Sequence, residues 1–181
     1  MRRMSTAFYL ASYVAAMIIA IPLITIVAAA LGRTEEGMPF VCAGLLVMVY
    51  GAVVYMVFLY KIWAAIQGVH ARTTPGRAVG FMFIPFYNFY WVFQAVGGWA
   101  PDYNKLVEES GSGLMHASEG LGLALSIVYL VSFVSGFNPF GSAIVGLANT
   151  VLVAVFIQQG CSRVNALAEW EERRDEQVAA G

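Results

Sequence analysis

The chain has 181 residues, of which 60 % are hydrophobic and 12 % charged, with a formal net charge of −1. Soluble domains lie nearer half apolar and a quarter charged, so a packed aqueous core cannot absorb the excess and most of it must face lipid. That implies an all-α integral membrane protein, because helices satisfy their own backbone hydrogen bonds in hydrocarbon; the charge gives no reason to expect a nucleic-acid partner.

Met1-Arg2-Arg3-Met4 precedes an uncharged run from Ala7 to Leu31. A signal-peptide core is about 7–15 residues and a membrane span about 20. The run therefore reads as a first transmembrane helix, about 7–31, held by cytoplasmic arginines. After "GRTEEGMP" a second span covers about 40–63 and ends in Tyr60, Lys61 and Trp63. Lys61 can snorkel to the interface, where Tyr and Trp form the aromatic belt. The polar "QGVHARTTPGR" leads into "FMFIPFYNFYWVFQAVGGW", residues 81–99. "APDYNKLVEESGSGLMHASE" follows, with a short helical segment expected from Pro101 to Glu109. Two further spans, about 120–135 and 141–161, flank the turn "GFNPFG". The last runs on as a charged cytoplasmic helix, about 162–177, in which Glu169 and Arg173 form a supporting i,i+4 pair. The whole chain, 1–181, reads as one membrane domain with four transmembrane helices.

Whether residues 81–99 cross is decided by the positive-inside rule. If they cross, Arg2, Arg3, Lys61, Arg72 and Arg77 lie inside and the other five cations outside, with no bias. If they turn back, Lys105, Arg163, Arg173 and Arg174 join the inside and Arg33 alone is outside, nine against one. Local chemistry agrees. Thr74-Pro75 is a good helix start. Pro85 removes a donor and clashes with the carbonyl of Phe81. Pro75 to Ile84 is about 15 Å of helix, half of a ~30 Å hydrocarbon core. A broken re-entrant or interfacial helix hairpin over 75–99 is expected, with both termini cytoplasmic.

In the hairpin's second piece Tyr87, Tyr90, Trp91 and Gln94 share a helical face, with Asn88 beside them, placed to satisfy carbonyls freed by Pro85. Hydroxyls, an indole and amides on an aromatic scaffold suit a lipid headgroup or a partner helix; an interfacial anchor explains the same residues. Lys61, His70, Arg72 and Arg77 form a basic cytoplasmic turn that suits lipid phosphates or simply fixes topology. Ser118, Gly122 and Ser126, and Ser142, Gly146, Thr150 and Ala154, form small-residue ridges on the last two spans. Such ridges permit close helix packing, so Gly146→Leu is expected to disrupt it.

Cys42 and Cys161 fall on opposite membrane faces in this topology, so a disulfide between them is out of reach. They read as two buried small apolar residues. No Cys/His cluster, nucleophile motif, phosphate loop or charged residue deep in a span suggests a metal, a cofactor, a reaction or a proton relay. The expected role is non-enzymatic: binding or assembly at the cytoplasmic membrane surface. The bilayer, a second copy of the chain and another membrane protein are the candidate partners. A subunit of a small oligomeric channel or transporter is the alternative.

The pattern P-G-x-A-V-G-x-x-F-I-P-x-x-N-x-Y-W-x-F is carried by Pro75, Gly76, Ala78, Val79, Gly80, Phe83, Ile84, Pro85, Asn88, Tyr90, Trp91 and Phe93. In it the chain resembles a bacterial family of small multi-helix membrane proteins of unknown function, some fused to a GYF-like domain absent here. The resemblance implies a multi-helix architecture in a bacterial inner membrane and supplies no catalytic residue.

Cysteines introduced at Lys105 and Gly181 are expected to resist impermeant thiol reagents added to intact cells, and one at Glu36 to react. Labelling of both Lys105→Cys and Gly181→Cys would restore five spans.

Overall fold

The structure is a computed structural model. It describes residues 3–30, 38–68, 71–135 and 139–180, without the side chains of 22, 23, 25–30, 134, 135 and 139–143. Among them all regular structure is helical: α1 (Thr6–Ala30), α2 (Met38–Ala65), α3 (Pro75–Gly80), a 3-10 turn (Phe81–Phe83), α4 (Tyr87–Val92), a π-helical turn (Phe93–Gly97), α5 (Trp99–Ser110), α6 (Glu119–Ser135) and α7 (Pro139–Ala180). The helices fall where uncharged runs predict them, and the hairpin breaks beside Pro85. Among the described residues, Met38–Ala65 and Ile144–Ala180 are long and apolar enough to cross a membrane. The apolar stretches Thr6–Ile21 and Glu119–Phe133 are shorter.

The chain divides into two compact units, Ala7–Phe58 and Met1–Thr6 with Leu59–Gly181. In the first, α1 and α2 run antiparallel. Tyr9 meets Phe58 with ring centroids 5.9 Å apart, and Tyr13 meets Tyr55 at 6.1 Å. Further along, a Cβ added to Gly51 would lie 2.6 Å from Met17 Cε, and one added to Gly44 would lie 2.6 Å from Ile24 Cγ1. Two glycines seven apart thus let α1 lie against α2, as small residues do in membrane helix pairs. The outer surface of α2 is apolar and exposed from Phe40 through Leu46 and Val49 to Val57.

In the second unit α6 runs antiparallel to the segment 87–97. Gly122 faces the Val96 carbonyl, Ser126 faces Val92, Tyr129 faces Asn88, and Phe133 packs edge-on against Phe89 at 4.9 Å. A Cβ at Gly122 would lie 2.7 Å from Val96 O and 3.1 Å from Gly97 Cα, so only glycine fits. The ridge of α6 therefore packs on the hairpin. On α7 the expectation fails: a Cβ at Gly146 meets nothing within 4 Å, and Thr150 Oγ1 bonds Gly146 O of its own helix at 2.9 Å. The close backbone approach expected at Gly146 is not seen among the described residues. The Ser142 side chain lies outside the described residues. Cys161 is buried as expected, whereas Cys42 is exposed on α2.

Three side-chain amides act as strand partners for irregular backbone. Asn104 Oδ1 accepts from Ala117 N at 2.7 Å while its Nδ2 donates to Ala117 O at 3.0 Å. Gln159 grips Ser118 in the same way, at 3.1 and 3.5 Å. Asn165 grips Met4, at 2.7 and 2.9 Å. The 111–118 linker and the N-terminal residues thus bond to α5 and α7. At the end of α7, Glu169 reaches Arg3 at 3.5 Å, and Arg174 lies 5.1 Å from the Trp170 ring. These exposed contacts contribute little, ~0–1 kcal/mol each.

Gly122→Ala is expected to lower the thermal unfolding temperature in detergent, at a cost of about 1–3 kcal/mol for overpacking. Gly146→Ala, on an open helix face, should be neutral or raise stability by up to ~1 kcal/mol through helix propensity. Equal effects of the two would refute the assignment of the close contact to Gly122.

Candidate functional site at the broken helix

Thr74, extended at φ −87° and ψ 155°, accepts from Arg77 N through its side chain, and Pro75 opens α3. The helix tightens to a 3-10 turn and stops at Ile84, which is extended at φ −84° and ψ 114°. That conformation is what a following proline imposes. Phe86 then takes φ 61° and ψ −39°. It is the one non-glycine residue with positive φ among those described. Tyr87 N donates to Pro85 O at 2.7 Å and closes a γ-turn about Phe86. The positive-φ form of this turn is rare and strained. The chain then folds back. The Phe81 ring lies edge-on to Trp91 at 4.8 Å, and Trp91 Nε1 donates to Ala78 O at 3.1 Å.

A π-helical turn shifts the i→i−4 ladder, and buried carbonyls of the broken segment need other donors. Trp63 Nε1, from the end of α2, donates to Ala95 O at 2.8 Å. Ser126 Oγ lies between Gly122 O of its own helix, at 2.9 Å, and Val92 O, at 3.3 Å, and has one hydrogen for the two. In return Trp99 Nε1 donates to Ile62 O at 3.0 Å, near the last turn of α2. Three of the four tryptophans thus spend their single donor on a backbone carbonyl. Trp99 also stacks on Tyr103 at 5.4 Å and meets Phe156 of α7 edge-on at 6.0 Å.

Asp102, in the first turn of α5, is buried and holds Arg72. The Arg72 Nε lies 2.9 and 3.0 Å from its two oxygens, NH2 lies 2.7 Å from Oδ1, and the Arg72 backbone N donates to Oδ2 at 2.8 Å. A forked guanidinium–carboxylate pair of this kind fixes geometry as well as charge. Gly98 makes room for it: a Cβ there would lie 2.7 Å from Arg72 NH1. Gln67 Nε2 ties the same loop to α2 by donating to Trp63 O at 2.8 Å and Thr73 O at 3.2 Å.

The residues expected to recognise a ligand are partly consumed by this scaffold. Trp91 is buried with its indole bonded to Ala78, and Tyr87 stacks on it at 5.7 Å. Asn88 does not serve the carbonyls beside Pro85. Ile84 O is taken by the Asn88 backbone N at 3.1 Å, while the side-chain Nδ2 bonds Tyr129 OH at 3.0 Å. Gln94 is half-buried, and Tyr87 and Tyr90 remain exposed. The larger exposed feature is the tip itself, with Phe83 72 % and Phe86 83 % exposed and Ile84 between them. Lys61 and Arg77 are exposed, whereas Arg72 is committed to Asp102 and His70 lies outside the described residues.

Sequence reasoning missed Asp102, Trp63 and Trp99 as structural donors and acceptors. A lone acid among "WVFQAVGGWAPDYN" was the available signal for the first. Among the described residues no three His, Cys, Asp or Glu side chains gather as a metal site. No protein-family model, curated protein or solved structure matches the chain.

Trp63→Phe and Trp99→Phe keep most of the ring volume and each leave one buried carbonyl without its donor. Each is expected to cost about 1–3 kcal/mol, read as earlier thermal unfolding in detergent. Unchanged unfolding in both would show that these carbonyls find other donors.

Proposed function

We propose that the chain is a multi-pass protein of the bacterial inner membrane with four transmembrane helices and both termini cytoplasmic. Its hairpin, residues 75–99, serves as a binding or assembly module at the cytoplasmic face. The nine-to-one distribution of Lys and Arg supports this arrangement. So do the outward apolar faces of α2 and α7. The resemblance carried by Pro75–Phe93 belongs to the same proposal, since those residues build the break. The reading is non-enzymatic.

The observation that carries it is the exposed tip on a strained turn. Phe86 holds positive φ while presenting its ring outward. Glycine would take that conformation without the Cβ clash, which costs about 1–2 kcal/mol. Strain of this kind persists where the surrounding fold over-determines it, commonly at functional positions. An aromatic kept there at a cost in stability is kept for what it touches. Phe83, Ile84 and Phe86 suit acyl chains or an apolar partner, and the hydroxyls of Tyr87 and Tyr90 suit the headgroup level just beside them.

The alternative, a subunit of a small oligomeric channel or transporter, draws on one observation. Asn88 Oδ1 is buried without a partner between the hairpin and α6. Buried polar groups in an apolar segment are often part of a pathway.

Two variants test the binding role. Phe86→Gly should unfold at higher temperature, by about 1 kcal/mol of relieved strain, yet copurify with less lipid or partner by mass spectrometry. Tyr87→Phe with Gln94→Leu removes a hydroxyl and an amide worth about 0.5–1.5 kcal/mol each, so a ligand using both is expected to bind roughly tenfold more weakly. Unchanged copurifying species in both variants would reduce the hairpin to an interfacial anchor.

A further inference from the structure

Away from the tip, the 111–118 linker holds a methionine against an arginine. Gly111 and Gly113, at φ 61° and 66°, turn the chain out of α5. At the linker's other end Asn104 of α5 grips Ala117, and Gln159 of α7 grips Ser118, each through a backbone N–H and carbonyl. Met115 lies between these fixed points. Its Sδ accepts from Arg163 NH2, one turn on from Gln159, at 3.0 Å. The Met115 side chain is 70 % exposed, more than any other described methionine. Core packing therefore does not hold it in place, and the contact with Arg163 does.

A thioether is a weak acceptor. A guanidinium makes its strong bonds to polar or charged oxygen. The pair is mismatched as it stands, and oxidation of the sulfur corrects it. Methionine sulfoxide carries a polar oxygen on the same atom, and that oxygen takes up the N–H that sulfur holds weakly. In a core the same change is disruptive, because it buries a polar group. At the exposed Met115 there is little apolar contact to lose. We propose that Met115 is a reversible oxidation site whose sulfoxide is held by Arg163, so that oxidation tightens the linker onto α7. The oxidant is a hydroperoxide. The sulfur lone pair attacks the hydroxyl oxygen of the peroxide, and the S–O bond forms as the O–O bond breaks. The proton of the attacked oxygen passes to the leaving oxygen, which departs as water or an alcohol. The thioether loses two electrons and the peroxide gains them. Neither the hairpin's role nor the number of spans enters, since the linker contacts α5 and α7 directly.

The test uses the full chain in a maltoside detergent, treated with limiting hydrogen peroxide. Sulfoxide at each methionine is quantified by peptide mass spectrometry. Met115 is expected to oxidise first, and methionine sulfoxide reductases A and B together to restore it. Amide hydrogen exchange across 114–118 should slow roughly threefold or more on oxidation. Met115→Leu and Arg163→Gln should each lose that change, which separates it from oxidation at other methionines. Met115→Gln, which supplies an oxygen acceptor without oxidant, should slow exchange by itself. If Arg163→Gln does not fold, the two Met115 variants decide. Met115 left unoxidised while other methionines react, or linker exchange as fast or faster in the oxidised chain, overturns the proposal; the second result would make this sulfoxide ordinary damage.

Discussion

A helix that breaks away from bulk water must find donors for the carbonyls it frees. The segment from Pro75 to Ser110 breaks twice, once at Phe86 and once through the π-turn at Phe93–Gly97. Its solution is the indole. Each tryptophan offers one N–H on a large apolar body, so it can be buried whole while repairing one backbone carbonyl. Trp63 and Trp99 do this reciprocally, each donating into the other's segment, and Trp91 ties the second piece of the hairpin to the first. The Ser126 hydroxyl on α6 lies 3.3 Å from Val92 O, but its one hydrogen is shared with the nearer Gly122 O at 2.9 Å. The forked Arg72–Asp102 pair then fixes the loop that enters the hairpin. Remove this repair and the irregular backbone has no reason to stay where it is.

Much of this architecture is legible before any coordinates. The four long apolar runs, Thr74-Pro75 as a helix start and the break beside Pro85 all follow from local chemistry, and each appears at its expected position. The fold-back seen at the break agrees with a half-length first piece. What is not legible is partner choice. Nothing local says that Asn88 looks to Tyr129, that Trp91 looks inward to Ala78, or that Arg72 faces Asp102 thirty residues away. A shared helical face defines which side chains lie together, not which of them the rest of the chain will cover. The same limit explains Gly146. Its i,i+4 spacing with Ser142 and Thr150 resembles a packing ridge, but the spacing alone does not say whether a neighbouring backbone comes close to the glycine, and at Gly146 none does. The close contacts fall at Gly122, Gly44 and Gly51, where a neighbouring backbone or side chain arrives.

The scaffold also sorts the aromatic residues by job. Those with an N–H are mostly turned inward as repair groups, whereas Phe83, Phe86 and Tyr90 face out. Composition alone assigns both sets to an interfacial belt. Hydrogen-bonding capacity separates them, since an indole buried without an acceptor is costly and a phenyl ring carries no such obligation. The outward set is therefore free to vary in what it meets, and the inward set is not.

The grip of Asn165 on Met4 has a temporal consequence. The two residues are separated by 161 positions. During synthesis the first residues emerge with their eventual partner still to be made, so this contact closes only once most of α7 exists. Contacts of such long range form late because the loop entropy must be met first. The latch thus reports that α7 has been made: a chain arrested before Asn165 has its early helices and nothing on α7 to clasp Met4.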